Sequence, residues 1–128
     1  MKRIYWICLL LLASLVSCSK EEAEILTKQF DDVKEIRFVI RRGNDLDTVN
    51  VVTKADEILK IRAGCHIGSE QPFSKHIFVK SIVLVKSDGS SVHIPFEARN
   101  GRSIRLGSKQ YQTNRETIDL LNAYFPAK

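Results

Sequence analysis

The sequence predicts an α+β fold, an antiparallel sheet in the order β-β-α-β-β-β-β-α with the last helix packed on one face. Three observations predict it. Apolar residues alternate at period two in residues 33–42, and residues 77–86 form a strong strand run that is apolar on both faces around its middle. Turn pairs such as Asp88-Gly89 and Gly107-Ser108 divide the second half of the chain at hairpin spacing. Two segments, after Thr53 and after Thr113, switch to helical spacing. A chain of 128 residues leaves room for one such domain. With 44% apolar and 27% charged residues, its body is neither a low-complexity chain nor a membrane bundle.

The elements follow in order. Residues 33–42 carry Ile36, Phe38 and Ile40 on one face of a strand. Gly43-Asn44-Asp45 is a turn signal, and residues 48–52 resume the alternation with Val49 and Val51, which predicts a hairpin. Thr53-Lys54-Ala55-Asp56 reads as a capping box. The helix it opens carries Ala55, Ile58, Leu59 and Arg62 and stops at Gly64. Residues 64–75 hold two glycines, Pro72 and two serines, and read as a long loop.

Residues 77–86 form a strong strand. A two-residue Asp88-Gly89 loop sets Val85 opposite Val92, Val83 opposite Ile94 and Ser81 opposite Phe96. A three-residue Arg99-Asn100-Gly101 loop with Gly101 left-handed sets Phe96 opposite Ile104. Gly107-Ser108 closes another turn and brings Tyr111 beside Ile104. Thr113-Asn114-Arg115-Glu116 is a second capping box, and the helix from Asn114 to about Tyr124 buries Ile118, Leu121 and Phe125 before Pro126 ends it. The expected core face is Val83, Val85, Val92, Ile94, Phe96, Ile104 and Leu106.

The amino terminus has a different logic. Met1-Lys2-Arg3 is a basic start, and residues 4–16 are an apolar core of about 20 Å as a helix, short of the roughly 30 Å that a bilayer demands. That is the layout of a signal peptide. Leu15-Val16-Ser17-Cys18 then resembles the lipobox of bacterial lipoproteins. The resemblance implies cleavage before Cys18 and acylation of its thiol, with delivery to the cell envelope and the outer membrane. Several acyl chains anchor a protein firmly, because each buried methylene contributes about 0.8 kcal/mol. The chain then divides into a signal peptide (residues 1–17), a lipidated tether (residues 18–32) and one domain (residues 33–128). Within the tether, Lys20-Glu21-Glu22 is similar to the acidic export signals of some surface lipoproteins. The domain is similar in outline to small uncharacterised domains that bacterial lipoproteins carry, a likeness that implies no active site.

Chemistry is sparse. There is no nucleophile elbow, phosphate loop or dinucleotide fingerprint, and no catalytic residue or cofactor is expected. With Cys8 removed and Cys18 lipidated, Cys65 stands alone, so no intramolecular disulfide is expected. Cys65 with His66, His76 and His93 supplies the residue types of a metal or thiol site, at spacings that match no zinc motif. Arg99, Arg102, Arg105, Lys109 and Arg115, with Arg41-Arg42, form a basic rim suited to an acidic glycan or an acidic protein. Its poor aromatic interleaving argues against nucleic acid. The expected function is therefore a non-enzymatic, lipid-anchored envelope module. It would bind a partner through the sheet face away from the helix, at Leu84, His93, Pro95, Glu97 and Arg105, and through loop 64–75. His93 and Arg105 are the central ligand candidates. The alternative is a metal-binding or thiol-active lipoprotein using Cys65 and the histidines.

Overall fold

Strand and helix periodicities assemble as one sheet with helices on one face. The computed structural model describes residues 24–75, 77–98 and 101–126. Residues 24–29 form α1. After it come β1 (Val33–Arg42), β2 (Asp45–Val52), α2 (Ala55–Gly64), β3 (Ile67–Gln71), β4 (Lys80–Lys86), β5 (Ser91–Glu97), β6 (Ser103–Leu106), β7 (Lys109–Thr113) and α3 (Arg115–Asn122). The seven strands make one antiparallel sheet in the order β2-β1-β4-β5-β6-β7-β3.

The inner face carries Ile36, Phe38, Ile82, Leu84, Ile94, Phe96 and Ile104. Against it pack Leu26 and Phe30 from the α1 segment, Ile58 and Ile61 from α2, and Ile118 and Leu121 from α3. Phe125, just beyond α3, stands edge-on to Phe38 and Phe96 with ring centroids 5.6 Å from each. Edge-to-face pairs of this kind add to the burial of the rings themselves.

Several expectations are corrected. Residues 24–30 are not tether, since Leu26 and Phe30 are almost wholly buried. The end of α1 is held from β4. Lys86 Nζ donates to the Gln29 and Asp31 carbonyls, a cation at a helix C-terminus. Asp32 turns left-handed there, at φ 59°, and the Ser87 N–H donates to its carbonyl at 2.9 Å. Residues 67–71, expected in a loop, are the edge strand β3, paired to β7. The strand expected from residue 77 starts at Lys80. Thr53 does not cap α2; Lys54 occupies that position without a side-chain bond. Asn114 rather than Thr113 caps α3, accepting from the Thr117 N–H at 2.9 Å.

The largest correction is a one-residue slip between β4 and β5. The Lys86 N–H donates to the Ser90 carbonyl and the Gly89 N–H to the Lys86 carbonyl, so the loop is three residues, Ser87-Asp88-Gly89, with Gly89 left-handed at φ 91°. The pairs become Leu84 with Val92, Ile82 with Ile94 and Lys80 with Phe96. A slip of one residue exchanges the faces of a strand. Ile82 and Leu84 therefore enter the core, while Val83 and Val85 turn to the other side. The two later registers hold as expected, Phe96 with Ile104 and Ile104 with Tyr111.

A docked α1 and a free tether give different outcomes on truncation. Leu26→Ala should lower the free energy of unfolding by about 2–5 kcal/mol, as for other fully buried leucines. A change near zero in a urea titration would place Leu26 in a tether.

Candidate functional site

The β4–β5 register decides what the outer face of the sheet displays. Val39 pairs with Ser81 and Ser81 with Pro95. Leu46 sits beside Arg41, whose N–H donates to the Val79 carbonyl at 2.8 Å. His93 opposes Val83. Pro95 has no N–H to continue a ladder, and the β5–β6 pairing runs only through Phe96 and Glu97. Arg41, Ser81, His93 and Arg105 thus come from four neighbouring strands to one side of the sheet.

This face is not open from edge to edge. The described parts of the connection from β3 to β4, residues 72–75 and 77–79, cross it, and Arg105 holds the crossing in place. The Arg105 guanidinium lies 4.4 Å from the Phe73 ring centroid and 3.8 Å from that of Phe78. It donates to the Ser74 carbonyl at 2.6 Å and to the Gln110 side-chain carbonyl at 3.3 Å. Gln110 also accepts from the Ser74 N–H at 3.2 Å and donates to Ser103 Oγ at 3.4 Å. A cation over an aromatic face contributes about 0.5–2 kcal/mol, and a planar guanidinium can stack and donate at once. Arg105 is therefore a strut with its charge kept at the surface.

Between the crossing and the strands lies a hollow of about 160 Å³, lined by Arg41, Leu46, Ile77, Phe78, Val79, Ser81, His93, Pro95 and Arg105. His93 Nε2 is 2.8 Å from Ser81 Oγ. Burial, and then the charge of Arg41, hold the His93 imidazole below its ordinary pKa, so it is neutral near pH 7. The His–Ser contact has the distance of a nucleophile–base pair, but the Ser81 side chain is buried in the sheet surface. It satisfies a polar pair more readily than it would reach a substrate.

A second depression of about 420 Å³ lies on the helical side, lined by Thr27, Leu59, Arg62, Ala63, Cys65, His66 and Ile67. Arg62 there pairs with Asp31 at 2.9 Å. Cys65 is buried, and burial pushes its thiol up to about 12. No family model, curated protein or solved structure matches the chain.

The expected site residues fare differently. His93, Pro95 and Arg105 come together at the hollow. Leu84 does not; the register buries it completely in the core. Glu97 is on the same side of β5 as His93 and Pro95 but outside the hollow, at the rim of a depression beside Lys80 and Asn122. Cys65 and His66 share the helical depression, His93 lies on the outer face of the sheet, and His76 and Cys18 are outside the described residues. Among the described residues no three of His, Cys, Asp and Glu gather as metal ligands. Three residues of the basic rim are paired. Arg42 meets Asp47 at 3.1 Å, Lys109 meets Glu70 at 3.8 Å and Arg115 meets Asp119 at 3.6 Å. Arg99 is outside the described residues.

Sequence reasoning missed Arg41 as a lining residue, Ser81 as the partner of His93, and the Phe73–Arg105–Phe78 stack. Ser81 was missed through the wrong register, and Arg41, placed in the basic rim, through the β1–β4 pairing, which no local pattern announces. The stack joins residues some thirty positions apart and leaves no periodic trace.

The thiol makes a simple prediction. A group whose folded pKa is raised stays protonated through neutral and mildly alkaline pH. Native protein at pH 8 should therefore react with iodoacetamide at Cys65 at least tenfold more slowly than urea-unfolded protein, measured by peptide mass mapping. Equal rates would mean an accessible thiolate.

Proposed function

We propose that this chain is a lipid-anchored module of the bacterial cell envelope, without chemistry of its own, that holds a partner protein against the outer face of its sheet. The observation that carries the binding role is an exposed apolar rim around a charged hollow. Leu46, Phe73, Ile77 and Val79 are all at least half exposed, Ile77 most of all at 66%. Three of them, Leu46, Ile77 and Val79, line the hollow directly, and Phe73 stacks on Arg105 beside it. Exposed apolar side chains grouped around polar ones are the usual mark of an interaction surface.

The anchor rests on the lipobox-like Leu15-Val16-Ser17-Cys18. The docking of α1 adds a geometric consequence. Cys18 and Glu24 are six peptide steps apart, a reach of at most about 20 Å. An acylated Cys18 thus holds the domain close to the lipid surface. Among the described residues no helix is long and apolar enough to cross a membrane, and acyl chains would supply the attachment without one. The outer membrane is the expected destination.

One experiment tests anchor and surface together. The full-length chain is expressed with a photo-crosslinking residue at Ile77, or at Leu59 on the helical side. The Ile77 form should partition with membranes and give a discrete protein crosslink that the Leu59 form lacks. Cys18→Ser should leave the chain unacylated by intact mass and lose the membrane association. An unacylated wild type would contradict the anchor, and equal crosslinking from both positions would contradict the surface.

A further inference from the structure

The hollow on the outer face is small, positive and rimmed with apolar side chains, and those properties together define what fits it. Its volume is about 160 Å³. Pockets that enclose a whole small-molecule ligand run to about 300–1,000 Å³. The hollow is of a size for one side-chain end.

The charge is one-signed. Two guanidinium groups line the hollow, from β1 and β6, and no carboxylate does. Arg105 cannot swing away, because Phe73, Phe78, Ser74 and Gln110 hold it. Arg41 is half-buried beside Leu46, and among the described residues its side chain has no hydrogen-bond or ion-pair partner. The other cations on the sheet margins, Arg42 and Lys109, have carboxylates of their own. The positive field of Arg41 is already felt inside the hollow, where it disfavours charging His93. A guanidinium in such a setting is a ready carboxylate receptor, since its paired donors match the two oxygens.

We propose that this hollow is a carboxylate-binding site for an acidic side chain of a protein partner, with apolar residues of the same segment resting on Leu46, Ile77 and Val79. This rests on the reading of the outer face as a docking surface and names the chemistry it selects. Arg41 is the principal ligand-binding residue. Arg105 supplies fixed charge from the far wall, and His93 with Ser81 forms the polar floor.

The test uses the full chain, 15N-labelled and held in detergent micelles, titrated with acetyl-Leu-Glu-Leu-amide. The peptide has blocked ends, so its only charge is the glutamate. The expected result is saturable shifts of the Arg41 and Arg105 Nε–H signals and the His93 ring. The glutamine analogue should bind about tenfold more weakly, the loss expected for one charge-assisted hydrogen-bond pair. Arg41→Gln should lose a similar factor while its thermal unfolding midpoint stays unchanged, because its side chain holds nothing else in the fold. Inorganic phosphate should compete only weakly.

Equal binding of the glutamate and glutamine peptides, or no shifts from either, would overturn the proposal. Tighter binding of phosphate than of the peptide would also overturn it, in favour of a phosphate-bearing ligand. None of these results touches the Ile77 crosslink. A specific crosslink with no preference for glutamate would leave the docking surface standing and remove only the acidic partner.

Discussion

Lys86 closes the turn between β4 and β5 by donating its N–H to the Ser90 carbonyl at 2.8 Å, and both faces of the sheet follow from that closure. It makes the loop three residues long, which needs a left-handed residue at its end, and Gly89 supplies one without steric cost. Asp88 stiffens the loop from within, accepting from the Ser90 N–H at 2.8 Å and from its hydroxyl at 2.6 Å. Those bonds hold the Asp88 carboxyl below its usual pKa. The same turn reaches the end of α1, where Lys86 and Ser87 cover the carbonyls of Gln29, Asp31 and Asp32. One short loop thus sets the strand register and fastens the first helix.

The two faces then take separate roles. The inner face is apolar, with Phe125 edge-on to both Phe38 and Phe96 under three helices. The outer face has a polar layer of Gln71, Ser103, Gln110 and Ser74, each hydrogen-bonded to another of the set. Among the described residues no buried side-chain polar atom lacks a partner. A satisfied layer of this kind can carry a charged residue such as Arg105 at a fixed point, which a mobile surface side chain cannot do. Such a layer offers fixed position and charge, the properties on which the proposed binding role draws.

Much of the fold was legible because it depends on local rules. Period-two alternation marked β1 to the residue, and Gly101 and Gly107, both at positive φ, gave the registers on either side of β6. What escaped has physical reasons. Ser87-Asp88-Gly89-Ser90 supports a two- or a three-residue loop, and residues 82–85 are apolar on both sides, so the pattern could not choose. β3 reads Ile-Gly-Ser-Glu-Gln, a polar edge strand with little to bury. The α1 segment presents only Leu26 and Phe30 to the core, too few to signal a helix. Of the candidate site, His93, Pro95 and Arg105 were on the correct side because β5 and β6 alternate cleanly. Leu84 was misplaced with the rest of β4.

The most direct test of this account is the β4–β5 pairing itself, since the hollow exists only in one register. Cross-strand nuclear Overhauser contacts between the Hα protons of Val83 and His93 are the decisive signal. The account predicts a strong Val83–His93 contact and a matching one between Ser81 and Pro95. Hα contacts from Leu84 to His93 and from Ile82 to Pro95 would contradict it, because that register would bury Val83 in place of Leu84 and remove Ser81 from beneath His93.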